Sequence, residues 1–76
     1  MEYYGTHDLP LAAFILCKGY KLVKTERDDR KRVTFFFEEK DDLEQIVSGY
    51  FNGDEISAIA FQSKMRELKN LVFNVM

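Results

Sequence analysis

The sequence predicts one α+β domain, a three-stranded and mainly antiparallel sheet with helices packed on it, in the order β-α-β-β-α-α. Two observations lead to this prediction. Two runs of β-forming residues flank a short polar turn, and two later segments repeat apolar residues at helical spacing. The chain has 76 residues, of which 46% are hydrophobic, so residues 1–76 are expected to form a single domain.

The chain begins with a short strand and an apolar helix. Residues 2–6 contain tyrosine and threonine, which favour extended structure. Thr6 and Asp8 are good helix N-caps, so helix one should cover about 9–18 and end at Gly19. Because this helix is apolar nearly all round, it should be the most buried one.

Residues 20–27 and 32–39 are two strands that should pair as an antiparallel hairpin across the turn "DDRK". The turn contains no glycine, so the sequence does not define its geometry.

Side-chain alternation in the hairpin raises the question of where Phe36 lies. Strand residues alternate between two faces, so Phe36 should point away from the core that its neighbours build. It is then either covered, by helix three or by a second copy of the protein, or it is the centre of a binding surface with Tyr3 or Tyr4 beside it. The inner residues of this strand are Val33, Phe35 and Phe37, and the outer residues of the preceding strand are Lys21, Val23, Thr25 and Arg27.

Two further helices complete the domain. Asp41 and Glu44 form a capping-box pattern before helix two, which should span about 42–52. Gly49 within it is expected to mark a close contact with another helix. Helix three should run from the cap Ser57 to about residue 73, with Phe61, Met65, Leu68 and Val72 along its apolar stripe.

The charged residues are unevenly distributed along a chain whose net charge is −2. Residues 18–32 contain seven of the eleven basic side chains against three acids, whereas 38–44 contain five acids. Aromatic rings among basic groups can bind a nucleotide or single-stranded nucleic acid. The candidate binding residues in this region are Lys21, Arg27, Arg30, Lys31, Arg32, Phe36 and Tyr4, and a second basic group on helix three consists of Arg66 and Lys69.

The sequence contains no recognisable catalytic or metal-binding set, so no enzyme and no cofactor are expected. His7 stands beside Asp8, but no serine or cysteine is placed as its nucleophile. The acidic run 38–44 lacks the spacing of a calcium loop, and one histidine with one cysteine cannot build a zinc site. The single cysteine, Cys17, favours a reducing, cytoplasmic setting, and the longest apolar run is far too short to cross a membrane.

The chain contains four short motifs, "TxDLxLAA" from Thr6, "FxF" at Phe35 and Phe37, "YFNG" at 50–53 and "RxLKxL" from Arg66. Together these motifs resemble a family of uncharacterised domains found in bacterial and phage proteins. The resemblance covers nearly the whole chain and implies the same order of elements and a phage or mobile-element setting. It implies no activity.

Two functions are consistent with these observations. The first is a non-enzymatic binding module, expected to self-associate, that occupies a host or defence protein. The second is a nucleotide or single-stranded nucleic-acid binder that uses the basic hairpin and the aromatic sheet face.

Overall fold

The computed structural model describes residues 2–40 and 42–74, and its elements follow the predicted order. The α+β class and the order β-α-β-β-α-α are therefore confirmed. The strands are β1 (Tyr3–Thr6), β2 (Leu22–Arg27) and β3 (Val33–Glu38), and the helices are α1 (Leu9–Cys17), α2 (Leu43–Phe51) and α3 (Ala58–Asn74).

The three strands form one antiparallel sheet, with β3 between β1 and β2. Phe36 lies opposite Gly5 on β1 and opposite Lys24 on β2. Leu22 pairs with Phe37 and Lys24 pairs with Phe36, so β2 uses two residues where β3 uses only one. Val23 is therefore the extra residue of a β-bulge, which reverses the face on which each later β2 side chain lies.

The core lies between the inner face of the sheet and the helices. Phe35 and Phe37 are fully buried, as is the central part of α1 over 11–15. Leu43 of α2 and Leu68 of α3 belong to the same buried cluster, so all three helices contribute to the layer on this inner face. The predicted inner position of Phe35 and Phe37 and the apolar stripe of α3 are thus confirmed.

Both predicted glycine stops are present. Gly19 and Gly53 follow α1 and α2 with φ of +100° and +82°, a region that other residues rarely adopt. Asp8 caps α1, because its Oδ1 accepts a hydrogen bond of 3.1 Å from the Leu11 amide. The capping box predicted from Asp41 lies outside the described residues.

The sequence suggested that Gly49 marks a close contact with another helix, but this prediction is wrong because the contact is with Asp54. A Cβ at this position would collide with the Asp54 carboxylate, and the Asp54 amide donates to the Gly49 carbonyl at 2.9 Å. Gly49 therefore leaves room for the chain that turns back after α2.

Candidate functional site

The outer face of the sheet carries Phe36 at its centre. The ring lies over Gly5, since a Cβ built there would be only 2.9 Å from Phe36 Cε1. Lys24 lies on the neighbouring strand β2, and its Nζ is 5.0 Å from the centroid of the Phe36 ring. Phe36 is thus half-buried by its own sheet, and the alternative in which helix three covers it is wrong, because α3 packs on the opposite face.

Tyr3 extends this aromatic surface, whereas Tyr4 does not. Tyr3 is 46% exposed, and Lys24 Nζ lies 6.0 Å from its ring centroid, so Lys24 lies between two aromatic rings. Tyr4 pairs with Phe37 and points to the inner face, where it packs against the core. Burial there raises the pKa of the Tyr4 hydroxyl, with a smaller contribution from the negative charge of Asp8.

The charges on the outer face are mixed. Lys24 forms an ion pair with Glu26 at 2.8 Å, and this contact raises the pKa of the lysine. Glu38 is the next outward residue of β3 after Phe36 and is half-buried. The face therefore combines aromatic surface with acids as well as a cation, and it has no excess of positive charge.

Arg27 does not lie on the outer face, which corrects the sequence prediction. The bulge at Val23 turns Thr25 and Arg27 toward the inner side, opposite Phe35 and Val33. Arg27 Nη2 donates a hydrogen bond of 3.2 Å to the Val72 carbonyl near the end of α3, while its buried Nε has no partner among the described residues. The arginine therefore joins β2 to the last turn of α3, where a positive charge suits the helix dipole.

The hairpin tip is organised by Asp28. Its Oδ1 accepts hydrogen bonds from the amides of Arg30 and Arg32 at 2.8 and 2.9 Å, and Lys31 has φ of 64°. These N–H donors, that of Arg32 first, hold the pKa of Asp28 below its ordinary value. The turn thus forms without glycine, and it leaves Arg30, Lys31 and Arg32 exposed.

The basic stretch 18–32 does not form one surface. Lys18 and Lys21 lie at the opposite end of the hairpin from the tip, because they precede β2 while Arg30 and Lys31 follow it. A six-residue strand separates the two groups by roughly 20 Å. The single basic region that the sequence suggested is therefore divided in two.

Arg66 and Lys69 line an open groove along one flank of α3. Its volume is about 500 Å³, and its apolar lining comes from Phe61, Met65 and Phe73. Phe73 is 67% exposed, so this flank combines exposed apolar surface with two cations. It is a second surface that could contact a partner, on a different element from the outer sheet face.

His7 and Asp8 do not form an oriented pair. Asp8 Oδ1 points into the first turn of α1, while His7 Nδ1 lies 2.9 Å from Thr34 Oγ1. Each side chain therefore has a separate structural contact, that of Asp8 at a helix end and that of His7 with Thr34 on β3.

The described residues contain no group of three or more histidine, cysteine or acidic side chains that could hold a metal ion. Burial raises the pKa of the Cys17 thiol, which lowers its reactivity. In the part of the chain that is described, no helix is long and apolar enough to cross a membrane.

Comparison with known proteins gives a family but no activity. No curated protein and no solved structure matches the chain. A family model described as a domain of unknown function, DUF5659, matches residues 1–74 and so spans nearly the whole sequence. This match agrees with the resemblance inferred from the motifs, and the chain therefore belongs to the DUF5659 family of domains of unknown function.

Proposed function

We propose that this domain is a non-enzymatic interaction module that binds a protein partner through the outer face of its sheet. The observation that supports this most is the accessible cluster of Tyr3, Lys24 and Phe36 on a face that no described element covers. Aromatic side chains with a polar surround are enriched at the centres of protein interfaces. The extra phenylalanine of β3 then has a role that core packing alone does not give it.

The charge of the face favours a protein over a nucleic acid. Binding to a phosphate backbone depends on cations that replace counterions. On this face the only described cation beside the rings, Lys24, is already paired with Glu26, and Glu38 adds a further negative charge. Arg27, which would have strengthened nucleic-acid binding, is turned toward α3.

Single-stranded nucleic acid or a nucleotide is the second candidate, and one feature favours it. Arg30, Lys31 and Arg32 are all exposed at the hairpin tip, where Arg32 also forms an ion pair of 3.8 Å with Asp28. The ion pair of Lys24 with Glu26 beside the aromatic rings weakens this alternative, because base stacking and phosphate contacts act together in such sites.

The setting of the protein is part of the proposal. In the phage or mobile-element context implied by the motif resemblance, the partner would be a host or defence protein in the cytoplasm. An acidic single-domain protein can block such a partner by occupying its binding surface. If the partner is a second copy of this chain, the protein self-associates through the same face.

Site-specific photocrosslinking in cells tests the proposal directly. A photoreactive phenylalanine analogue replaces Tyr3 in one variant and Phe73 in the matched control, since both side chains are exposed but lie on different surfaces. We expect a discrete crosslinked protein from position 3 that disappears when Phe36→Asp is added. Crosslinks from position 73 alone, or none from position 3, would contradict the proposed face.

Two solution measurements separate the remaining possibilities. Sedimentation of the wild type and Phe36→Asp tests self-association, and a wild type that is monomeric at all concentrations excludes a second copy as the partner. Fluorescence anisotropy with single-stranded oligonucleotides tests the alternative. Salt-sensitive oligonucleotide binding that is lost in the double variant Arg30→Glu/Arg32→Glu and kept in Phe36→Asp would favour nucleic-acid binding over a protein partner.

A further inference from the structure

A cleft lined by three lysines opens at the end of the sheet opposite the hairpin tip. Its volume is about 440 Å³, within the range of sites that hold small molecules. Lys18 comes from the end of α1, Lys21 from the link into β2 and Lys40 from the link into α2. Two stretches of chain thus build its walls, one that leads from α1 into β2 and one that leaves β3 at Glu38.

None of the three lysines is in an ion pair within the described part of the chain. The ion pairs there involve Lys24, Arg32 and Lys64 instead. Lys18 Nζ lies 5.2 Å from the centroid of the Phe14 ring, and Lys40 Nζ lies 5.8 Å from that of Tyr20. Two of the ammonium groups are thus positioned by aromatic rings, and their charges are not neutralised by a described carboxylate.

The acids that line the cleft do not cancel its positive charge. Asp42 Oδ1 accepts the hydrogen bond of the Tyr20 hydroxyl, so part of its capacity is already used. Glu38 is the other carboxylate among the described lining residues. Within that described lining, three lysines against two carboxylates leave a formal excess of one positive charge, in a concave site with a tyrosine ring in its wall.

Helix chemistry explains only one of the three lysines. Lys18 is the C-cap of α1, where a cation complements the negative end of the helix dipole. Lys40 lies just before α2, whose positive end disfavours a cation. Lys21 is exposed in the link between α1 and β2 and belongs to neither helix.

We propose that this cleft binds the phosphate group of a small molecule, either free phosphate or a phosphate monoester. Lysine ammonium groups bind phosphate as mobile point charges with several donors, and charge-assisted hydrogen bonds of this kind are strong. The Tyr20 ring supplies an apolar wall for the organic part of a monoester. The site shares Glu38 with the outer face but contains none of Tyr3, Lys24 and Phe36, and it does not depend on the protein partner proposed above.

An NMR titration of the ¹⁵N-labelled chain tests the cleft with three probes: inorganic phosphate, AMP and adenosine. We expect the amides of residues 18–21 and Lys40 to shift with phosphate and AMP at millimolar concentration, and not with adenosine. If inorganic phosphate saturates the site and AMP binds no more tightly, the site is assigned to the free anion. If AMP binds more tightly than inorganic phosphate, the site is assigned to a phosphate monoester. Both results support phosphate recognition.

Charge-removing variants make the test specific to the cleft. Lys21→Gln and Lys40→Gln are each expected to weaken AMP or phosphate binding by about three- to tenfold, given partial solvent screening. Lys31→Gln removes the same charge from the hairpin tip and should leave the affinity unchanged. A dispersed spectrum of each variant shows that the fold is kept.

Four results would overturn the inference. They are equal shifts with adenosine and AMP, shifts confined to residues 30–32, an equal loss of affinity in Lys31→Gln, and no shift with any probe at millimolar concentration.

Discussion

The position of Phe36 over Gly5 predicts that a single methyl group on β1 will displace the ring. A Cβ at Gly5 would lie 2.9 Å from Cε1 and 3.2 Å from Cδ1 of Phe36, and 3.1 Å from Cγ2 of Thr34. Overpacking typically costs about 1–3 kcal/mol, while replacing a strand glycine with alanine returns about 0.5–1 kcal/mol. Because the half-buried ring can shift toward solvent, we expect Gly5→Ala to lower the free energy of unfolding by about 1 kcal/mol.

The sign of this effect should reverse when the ring is removed. In a Phe36→Ala background, Gly5→Ala no longer meets the aromatic ring, and only the Thr34 methyl group remains close. The substitution should then be neutral or stabilise the protein by up to about 0.5 kcal/mol. The two positions are therefore expected to couple by about 1 kcal/mol in a double-mutant cycle.

Urea unfolding followed by circular dichroism measures the cycle, with equal m-values as the check that only stability has changed. Thermal unfolding gives the same comparison, because 1 kcal/mol corresponds to about 4–8 °C for a domain of this size. Gly19→Ala is the control, since φ of +100° makes alanine unfavourable there in either background. If Gly5→Ala has the same effect with and without Phe36, the ring does not occupy the space above Gly5.

Three further outcomes are expected at and near the hairpin. Lys31→Gly should raise the free energy of unfolding by about 0.5–1 kcal/mol in calorimetry, since φ of 64° suits glycine better, and an unchanged stability would contradict that conformation. The depressed pKa of Asp28 means that its contribution to stability is present above the unfolded value of about 3.9 and is lost as pH falls through the folded pKa. The urea midpoint should therefore fall more between pH 5 and pH 2 in the wild type than in Asp28→Asn, and equal falls would refute the role of this carboxylate. Arg27→Met keeps the apolar stem but loses the bond to Val72, so it should cost about 1 kcal/mol in thermal unfolding, and an equally stable variant would show that the bond contributes nothing.

The order of elements could be predicted because local signals mark each boundary. Gly19 and Gly53 end helices by a conformation that few other residues adopt, and Asp8 and Ser57 cap helices through short-range hydrogen bonds. The alternation around Phe36 depends only on β3, which is regular over its whole length. These features involve residues close together in sequence, so one sequence is enough to predict them.

The faces of β2 could not be predicted in the same way. A strict two-residue alternation places Arg27 outward, but the bulge at Val23 inserts one residue and reverses every later position. Whether a bulge forms depends on how β2 and β3 pair, and no local pattern in "KLVKTER" marks it. The contact of Arg27 with α3 also joins residues 45 positions apart.

The lysine cleft was missed for a related reason. Lys40 is distant in sequence from Lys18 and Lys21 and lies in a stretch dominated by acids. Antiparallel pairing nevertheless places the end of β3 beside the start of β2, which brings these lysines together. Combining the predicted hairpin with the charges that flank each strand would have found the cleft.

The bulge in β2 also affects how copies of this chain meet at high concentration. β1 and β2 are the edge strands of the sheet, and such strands can extend into a neighbouring molecule and start aggregation. The extra residue at Val23 interrupts the regular spacing of the free N–H and C=O groups along β2, and β1 has only four residues. Assembly by sheet extension is therefore disfavoured relative to contact through the faces of the molecule.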